Sequence, residues 1–460
     1  MTLDPDTTIT IRHGKTGDDE ASRMPRLIAA FECRRPLSPG LRVSLRDVDE
    51  VTIGRGTERR WTRAGRILRI TLPDQEMSRL HVRLVRRPDG WNLQDAGSKN
   101  GTMVDNVATS YCALADGDLI EVGGTFLVYR DDPVRDVEPS DRDLAAEQVV
   151  PEVFRTLSLE LERGVGDLAR IAPTLVPVLI VGETGTGKEL AAEAVHALSG
   201  RRGPFVPINC GALPRTLVES ELFGYRRGAF SGARDDRTGL ARKADGGTLF
   251  LDEVAELPEE SQVALLRLLQ NGEVRAIGSA DLVKVDVRVI AATHQDLRAR
   301  IGDGRFRRDL YGRLCGYEMV MPALRDRPED IGSLIAALLR RLGVDDPAFS
   351  IHPRAAHAFF TYQYPMNVRE LEQALRTAVA LVTGHEVGVR HLPEAMRAPA
   401  PAPGKQLRPE DVALRAQLVE ILRESEGNIA ATARALDKAP VQVRRWCRRL
   451  GIDLAEYRKY

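Results

Sequence analysis

The stretch Val176-Pro177-Val178-Leu179-Ile180-Val181, running straight into Gly182-Glu183-Thr184-Gly185-Thr186-Gly187-Lys188-Glu189, decides how this chain is read. Its first six residues form a short apolar run bounded by a glycine-rich turn, the pattern of a buried strand. The following ELAAEAVHAL has helical character. A glycine-rich turn between a buried strand and a helix is the setting of a phosphate-binding loop. Glycines let backbone N–H groups face phosphate oxygens, the helix N-terminus favours the negative charge, and Lys188 reaches the β/γ oxygens. The generic motif ends in Ser or Thr, whereas this loop ends in Glu189. Such turns also serve plain strand-to-helix connections, so a second strand is needed. Thr248-Leu249-Phe250-Leu251-Asp252-Glu253 supplies it. The apolar residues carry two carboxylates to a strand end, where Asp252 is placed to hold Mg²⁺ or its water and Glu253 to polarise an attacking water. Together the two segments predict nucleotide hydrolysis with Mg²⁺.

Working outward, residues 151–395 alternate strands with helices, the pattern of a parallel α/β sheet. SQVALLRLLQ is expected to be a helix with Val263, Leu266 and Leu269 on one face. Residues 25–130 change character. Leu68, Ile70 and Leu72 alternate with polar neighbours, and turns such as Lys99-Asn100-Gly101 and Ala115-Asp116-Gly117 recur, so an all-β sandwich is expected there. Residues 131–150 read as a polar linker and 396–409 as a stiff Pro/Ala connector. The remainder, 410–460, is expected to be all-α, with Leu414, Leu418, Ile421 and Leu422 at i, i+4, i+7, i+8 along a core face.

The central block resembles the AAA+ domain of sigma-54-dependent transcription activators, in which Glu after the loop lysine is usual. The resemblance implies that the nucleotide is ATP and that a helical lid runs from about residue 325. ELFGYRRGAFSGA, Glu221–Ala233, is similar to the family's GAFTGA loop. The resemblance assigns Gly228, Ala229, Phe230, Ser231, Gly232 and Ala233 to sigma-54 contact, with Ser231 in place of Thr. Phe230 stands among small residues that build no core of their own, which suits a contact device. The resemblance also implies that Asn209 restrains the catalytic Glu253 until the γ-phosphate is sensed. It maps arginine fingers to Arg307 and Arg313, and a sensor arginine to Arg369 in MNVREL. His294, in AATHQDL, stands where the family often has Asn. Arginines that act in trans imply a ring, expected to be a hexamer formed from dimers, with a heptamer left open.

The first block resembles an FHA domain, through Ile53-Gly54-Arg55, then Ser78, Arg79 and His81, then Ser98-Lys99-Asn100-Gly101 in order. The chemistry fits phosphate reading. Arg55 offers a charge-assisted contact, Ser78 a hydroxyl, Arg79 a second cation and Asn100 an amide for a peptide backbone, with Lys99 alongside. His81 is expected to brace the loops. The stretch between Arg55 and Ser78 is longer than is common and reads as a hairpin insertion. Near the C-terminus, Glu426–Ile452 resembles a Fis-type helix-turn-helix. Asn428 caps a helix over Ile429–Leu436, Asp437 stands at the turn, and Pro440 opens the next helix. Val443, Trp446, Cys447 and Leu450 form its inner stripe. Gln442, Arg444, Arg445, Arg448 and Arg449 are left facing outward as candidates for DNA phosphates and base edges.

Bulk properties exclude more than they specify. Lys+Arg and Asp+Glu both total 66, so a basic DNA-binding surface must be local. The five cysteines stand at no metal-ligand or CxxC spacing. The N-terminus lacks a signal-peptide pattern and no apolar run is long enough for a membrane span, so a cytoplasmic protein is expected. The combined expectation is a multidomain ATPase that binds upstream double-stranded DNA and remodels sigma-54 RNA polymerase holoenzyme from closed to open complex. Phosphothreonine, on a partner protein or on the chain itself, is its expected input. Two other readings remain at this point: a phosphorylation-gated DNA-binding regulator that never remodels polymerase, and a generic AAA+ motor.

Overall fold

The computed structural model describes residues 23–88, 90–131, 140–145, 155–230, 233–397, 409–425, 429–436, 443 and 446–447. They fall into two compact units. One comprises the described residues up to 327 from 155, with 364–371, and the other those of 23–145, 328–363 and 372–447.

The first unit is built on a five-stranded parallel sheet, in the order Phe205–Asn209, Thr248–Asp252, Arg288–Thr293, Val178–Val181, Tyr317–Val320. Its central strands are apolar on both faces because helices cover both. Leu179, Leu249, Leu251, Val289 and Ala291 enter one core; Val178, Ile180, Phe250, Ile290 and Ala292 enter the other. The expected helix is present as Glu259–Asn271. Its buried positions are Ser261, Gln262, Leu265 and Leu268, while Val263, Leu266 and Leu269 are only partly covered. Adjacent leucine pairs at 265/266 and 268/269 allow two helical faces, and the polar Gln262 settles on the buried one. There its side-chain amide donates to the carbonyls of Leu257 and Arg305.

In the second unit, residues 26–130 form the expected sandwich of two mixed-length sheets. Leu68, Ile70 and Leu72 point into its core, as their alternation predicts. The long segment after Arg55 is a hairpin: Arg60–Ala64 pairs antiparallel with Ile67–Leu72. Trp61 of this hairpin packs on the core, and its indole N–H donates to Asp141 at 3.2 Å. Residues read as linker therefore return to the sandwich. Arg142–Asp143 adds an edge strand beside Leu41–Ser44, and Leu144 is buried. The C-terminal residues give helices Pro409–Glu424 and Ile429–Ala435, with Leu418, Leu422, Ala433, Val443 and Cys447 in one small core. Gln442, Arg444, Arg445, Arg448 and Arg449, like Asn428, Asp437, Pro440 and Leu450, lie outside the described residues. Among the described residues, no helix is long and apolar enough to cross a membrane.

Candidate ATPase site and its relatives

The parallel sheet places the chemistry at its C-terminal edge, the usual ligand-binding end of such sheets. The strand Val178–Val181 leads into Gly182–Gly187, and the helix Lys188–Leu198 follows. Gly187 at the helix N-cap has φ 103°, a left-handed conformation in which glycine carries no steric penalty. Gly185 has φ 80°, and a Cβ there would sit 2.2 Å from the carbonyl oxygen of Met366. Lys188 is buried, and its ammonium donates to the carbonyls of Gly182 at 2.8 Å and Glu183 at 3.1 Å. Burial lowers its pKa, and the carboxylates of Glu253 and Asp252 oppose that shift. An arriving phosphate would reinforce the charged form. Glu189 is exposed in the helix's first turn.

Strand register explains which side chains meet around the carboxylates. Asn209 and Asp252 are direct partners on neighbouring parallel strands. Accordingly the Asn209 side-chain amide donates to Asp252 at 2.9 Å. The strand Arg288–Thr293 lies on the other side of Thr248–Asp252, so His294 and Glu253, each one residue past its strand, come together. His294 Nδ1 is 2.7 Å from Glu253 Oε2. The side chain that meets Glu253 here is thus His294, while the Asn209 amide meets the neighbouring Asp252. Glu253 itself has φ 54° and ψ 49°, a left-handed backbone that a non-glycine residue adopts at a cost and that is common at functional sites.

The Asp252 pKa is raised, first by burial and then by the negative Glu253. A half-buried carboxylate pushed toward its neutral form by a second carboxylate is a fitting partner for a cation. Among the described residues no three His, Cys, Asp or Glu gather as a metal cage. This donor set suits Mg²⁺ held by one carboxylate together with substrate phosphates.

Three residues around the loop escaped sequence reading. Arg325 forms an ion pair with Glu183, whose carboxyl it holds down at about 2. Asn367 is fully buried with φ 52°, and its amide donates to Glu183 at 3.1 Å and to the Thr184 carbonyl at 3.0 Å. Arg327 donates to the carbonyl of Thr186. Asn367 stands in the MNVREL segment, but only its arginine was singled out. Arg369 does lie beside the loop: a Cβ on Gly185 would be 3.3 Å from the Arg369 Cβ. Arg307 and Arg313 are both at least partly exposed around the helix Arg308–Leu314, and Arg307 pairs with Asp309 at 2.6 Å.

The GAFSGA segment is a loop on a braced stem. Gly224–Tyr225 pairs with Arg237–Thr238, and the Asp236 carboxylate accepts from the Arg226 side chain and the Arg227 backbone N–H. Gly228 N–H donates to the Ala233 carbonyl, closing the loop. Phe230 remains 42% exposed near its tip, touching Tyr225 edge-on with centroids 5.0 Å apart. Ser231 and Gly232 lie outside the described residues.

In the sandwich, Arg55, Arg79, Lys99 and Asn100 are exposed on neighbouring loops and Ser78 is partly buried. Ser78 Oγ accepts the Lys99 N–H at 3.1 Å, and the Asn100 side-chain amide donates to the Glu76 carbonyl at 2.7 Å. His81 is fully buried and bridges the Ser78 N–H and the Gly101 carbonyl, the bracing role expected of it.

Residues 156–320 match the Sigma-54 interaction domain, 325–408 the AAA+ ATPase lid domain and 51–123 the FHA domain. The response regulator protein PilR of Pseudomonas aeruginosa is 42% identical over 64% of this chain and 68% of its own length. The transcriptional regulatory protein ZraR of Escherichia coli is 43% identical over 59% of this chain, and the match spans 62% of ZraR. A crystal structure of NtrX from Brucella abortus in complex with ATP is 31% identical, covering 65% of this chain and 69% of that one, with a TM-score of 0.48. The chain belongs to the sigma-54-dependent transcriptional regulators, with a AAA+ ATPase domain and its lid preceded by an FHA domain.

Proposed function

We propose that this protein is an ATP-driven activator that converts sigma-54 RNA polymerase from closed to open complex and takes a phosphothreonine signal as input. The observation that carries the reading is the exposed Phe230 on a braced loop, in the same compact unit as Lys188, Asp252 and Glu253. Lys188 neutralises the β/γ phosphates, with Gly182–Glu189 wrapped around them. Asp252 would hold Mg²⁺; when bound, that cation neutralises charge across the phosphate oxygens. Glu253 takes a proton from water as its oxygen bonds to the γ-phosphorus and the bridging oxygen departs with ADP. Arg307 and Arg313 of an adjacent copy in a hexameric ring stabilise the charge that develops. Arginine fingers are worth roughly 10³–10⁵ in rate where measured. Arg369 senses the nucleotide. The loop Gly228–Ala233 moves with turnover and pushes on sigma-54. The helix-turn-helix with Gln442, Arg444, Arg445, Arg448 and Arg449 binds upstream DNA.

Reconstitution tests this directly: purified chain, sigma-54 holoenzyme and a sigma-54 promoter, with strand opening followed by permanganate reactivity. Opening with ATP and none with a non-hydrolysable analogue is expected; absence of opening with ATP would leave only a DNA-binding regulator.

His294 acts as a positioning residue for Glu253. With its imidazole removed, the carboxylate loses its restraint. His294→Ala is expected to raise unstimulated kcat by about three- to tenfold, the range of one charge-assisted hydrogen bond at a partly exposed site. KM is expected to be unchanged, and His294→Asn to restore the low rate. A kcat lowered tenfold in both variants would show that His294 aligns the base rather than restraining it.

At the sandwich loops, phosphothreonine docks against Arg55, Ser78 and Arg79, with Asn100 on the peptide backbone and Lys99 at the rim. Arg55→Ala is expected to weaken phosphopeptide binding by about 10- to 100-fold, the worth of a charge-assisted contact. Fluorescence anisotropy with phosphorylated and unphosphorylated peptides measures it; equal binding of both forms by the wild type would remove the input from the account.

A further inference from the structure

A sandwich strand normally buries one face and leaves the other in water. Arg26–Glu32 is buried at every position. Leu27 and Ala29 enter the sandwich core, whereas Ile28, Ala30 and Phe31 are buried outside it, with a bulge between Ala29 and Phe31 that sets Phe31 opposite Phe126. The neighbouring strand Thr125–Arg130 repeats the pattern: Leu127 and Tyr129 are core, and Phe126 and Val128 are fully buried outside it. Lid elements cover this outer face. The helix Ile331–Arg341 packs on the strand Arg26–Glu32 so closely that a Cβ on Gly332 would sit 1.9 Å from the Ala30 carbonyl oxygen. Phe360 stacks on Phe126 with centroids 5.3 Å apart and tilts against Phe31 at 6.2 Å. Polar contacts surround the apolar patch. Ile351 N–H donates to the Cys33 carbonyl at 2.9 Å, Gly40 N–H to Ser333 Oγ at 3.2 Å, and Arg340 to the Leu37 carbonyl. Arg130 stands 3.7 Å from the fully buried Glu329.

The phosphate-reading loops connect to this patch by short paths. Asp74, just ahead of Ser78, accepts from the Gly124 N–H and the Thr125 hydroxyl, which lead into Phe126. Glu76, whose carbonyl receives the Asn100 amide, pairs through its carboxylate with Arg34 at 3.0 Å. Arg34 follows Cys33, the residue bonded to Ile351 of the lid. With one amide N–H given to the Glu76 carbonyl, Asn100 keeps a second N–H and its own carbonyl for a peptide backbone, so a peptide held there bears on a loop tied at two points to the lid contact.

We propose that the FHA domain is built onto the ATPase lid as a fixed docking surface, and that phosphopeptide occupancy reaches the lid through Asp74, Glu76 and Arg34 to set the rate of ATP turnover. The docking stands on the contacts alone, and the transmission rests on the phosphothreonine reading above. A coupling carried by a packed network needs an element that responds to both sites, and the strands Arg26–Glu32 and Thr125–Arg130 are placed to be that element.

The test uses the full chain, an oriented phosphothreonine peptide library with its unphosphorylated counterpart, ATPase assays and amide hydrogen exchange. In the wild type, Ile351 and the strand Arg26–Glu32 are expected to be protected together. Gly332→Ala adds a methyl that favours its helix but collides with Ala30. It is expected to speed exchange at both places by about tenfold or more. The variant should still prefer the phosphorylated peptide, and the ATPase response to peptide should disappear. Arg34→Ala, at an exposed side chain, is expected to keep protection and affinity while reducing the response by at least about half. An unprotected Ile351 in the wild type overturns the docking. An undiminished ATPase response in both variants overturns the transmission. Equal binding of phosphorylated and unphosphorylated peptides removes the phosphothreonine reading and the transmission with it, and exchange at Ile351 still decides the docking.

Discussion

Glu253→Gln is expected to lower the steady-state rate of ATP hydrolysis by about 10²- to 10⁴-fold, the usual contribution of a positioned general base. Nucleotide binding should survive, because Lys188 and the loop Gly182–Gly187 are untouched and the substitution is isosteric. Removing one of two adjacent carboxylates also relieves Asp252, whose pKa the negative Glu253 helps to raise. The half-buried Asp252 therefore returns toward its ordinary value in the variant, and affinity for Mg²⁺-nucleotide should be retained or improved. Radiolabelled phosphate release and equilibrium nucleotide binding measure the two effects separately. Turnover within tenfold of wild type would mean that another group takes the proton, and loss of binding in parallel with turnover would mean that Glu253 is structural.

Phe230→Ala separates fuel from output. An exposed aromatic that anchors an interface commonly costs 2–4 kcal/mol on truncation, so promoter opening is expected to fall by about 30- to 1000-fold. ATP hydrolysis in the absence of polymerase should remain within about twofold. The Phe230 side chain touches Tyr225 but makes none of the loop's hydrogen bonds; its carbonyl accepts the Ala233 N–H at 3.0 Å, a backbone contact that alanine keeps, and the stem is held by Asp236, so the truncation should have a small effect on the loop itself. Quench-flow phosphate release with permanganate footprinting reads both quantities. A variant that opens promoters normally would remove Phe230 from the interface with sigma-54.

Much of this architecture was legible because local signals agreed with global ones. Strand–loop–helix around Lys188, the carboxylates after TLFL and the alternation at Leu68, Ile70 and Leu72 each depend on neighbours in sequence. What stayed illegible depends on registry between distant strands. Asn209 faces Asp252 and His294 faces Glu253 because three parallel strands align as they do, and no spacing within one segment reveals which of two adjacent carboxylates an amide will choose. Asn367 and Arg325 were missed for a related reason, since they act by reaching Glu183 across about 140 to 180 positions of chain. The helix Glu259–Asn271 offered two apolar faces, and the partners of Gln262 decided between them. The double-sided burial of Arg26–Glu32 has a visible trace in its continuous apolar Leu27–Phe31, a signal that a one-sided sandwich strand would not give.

Phosphate release and promoter melting, followed together in one reaction containing the full chain, sigma-54 holoenzyme and promoter DNA, test the central claim most directly. The account predicts that melting starts only as phosphate is released, stops when a non-hydrolysable analogue replaces ATP, and is lost in Phe230→Ala while release continues. Melting with the analogue, or sustained release by the wild type with a promoter that stays closed, would contradict it.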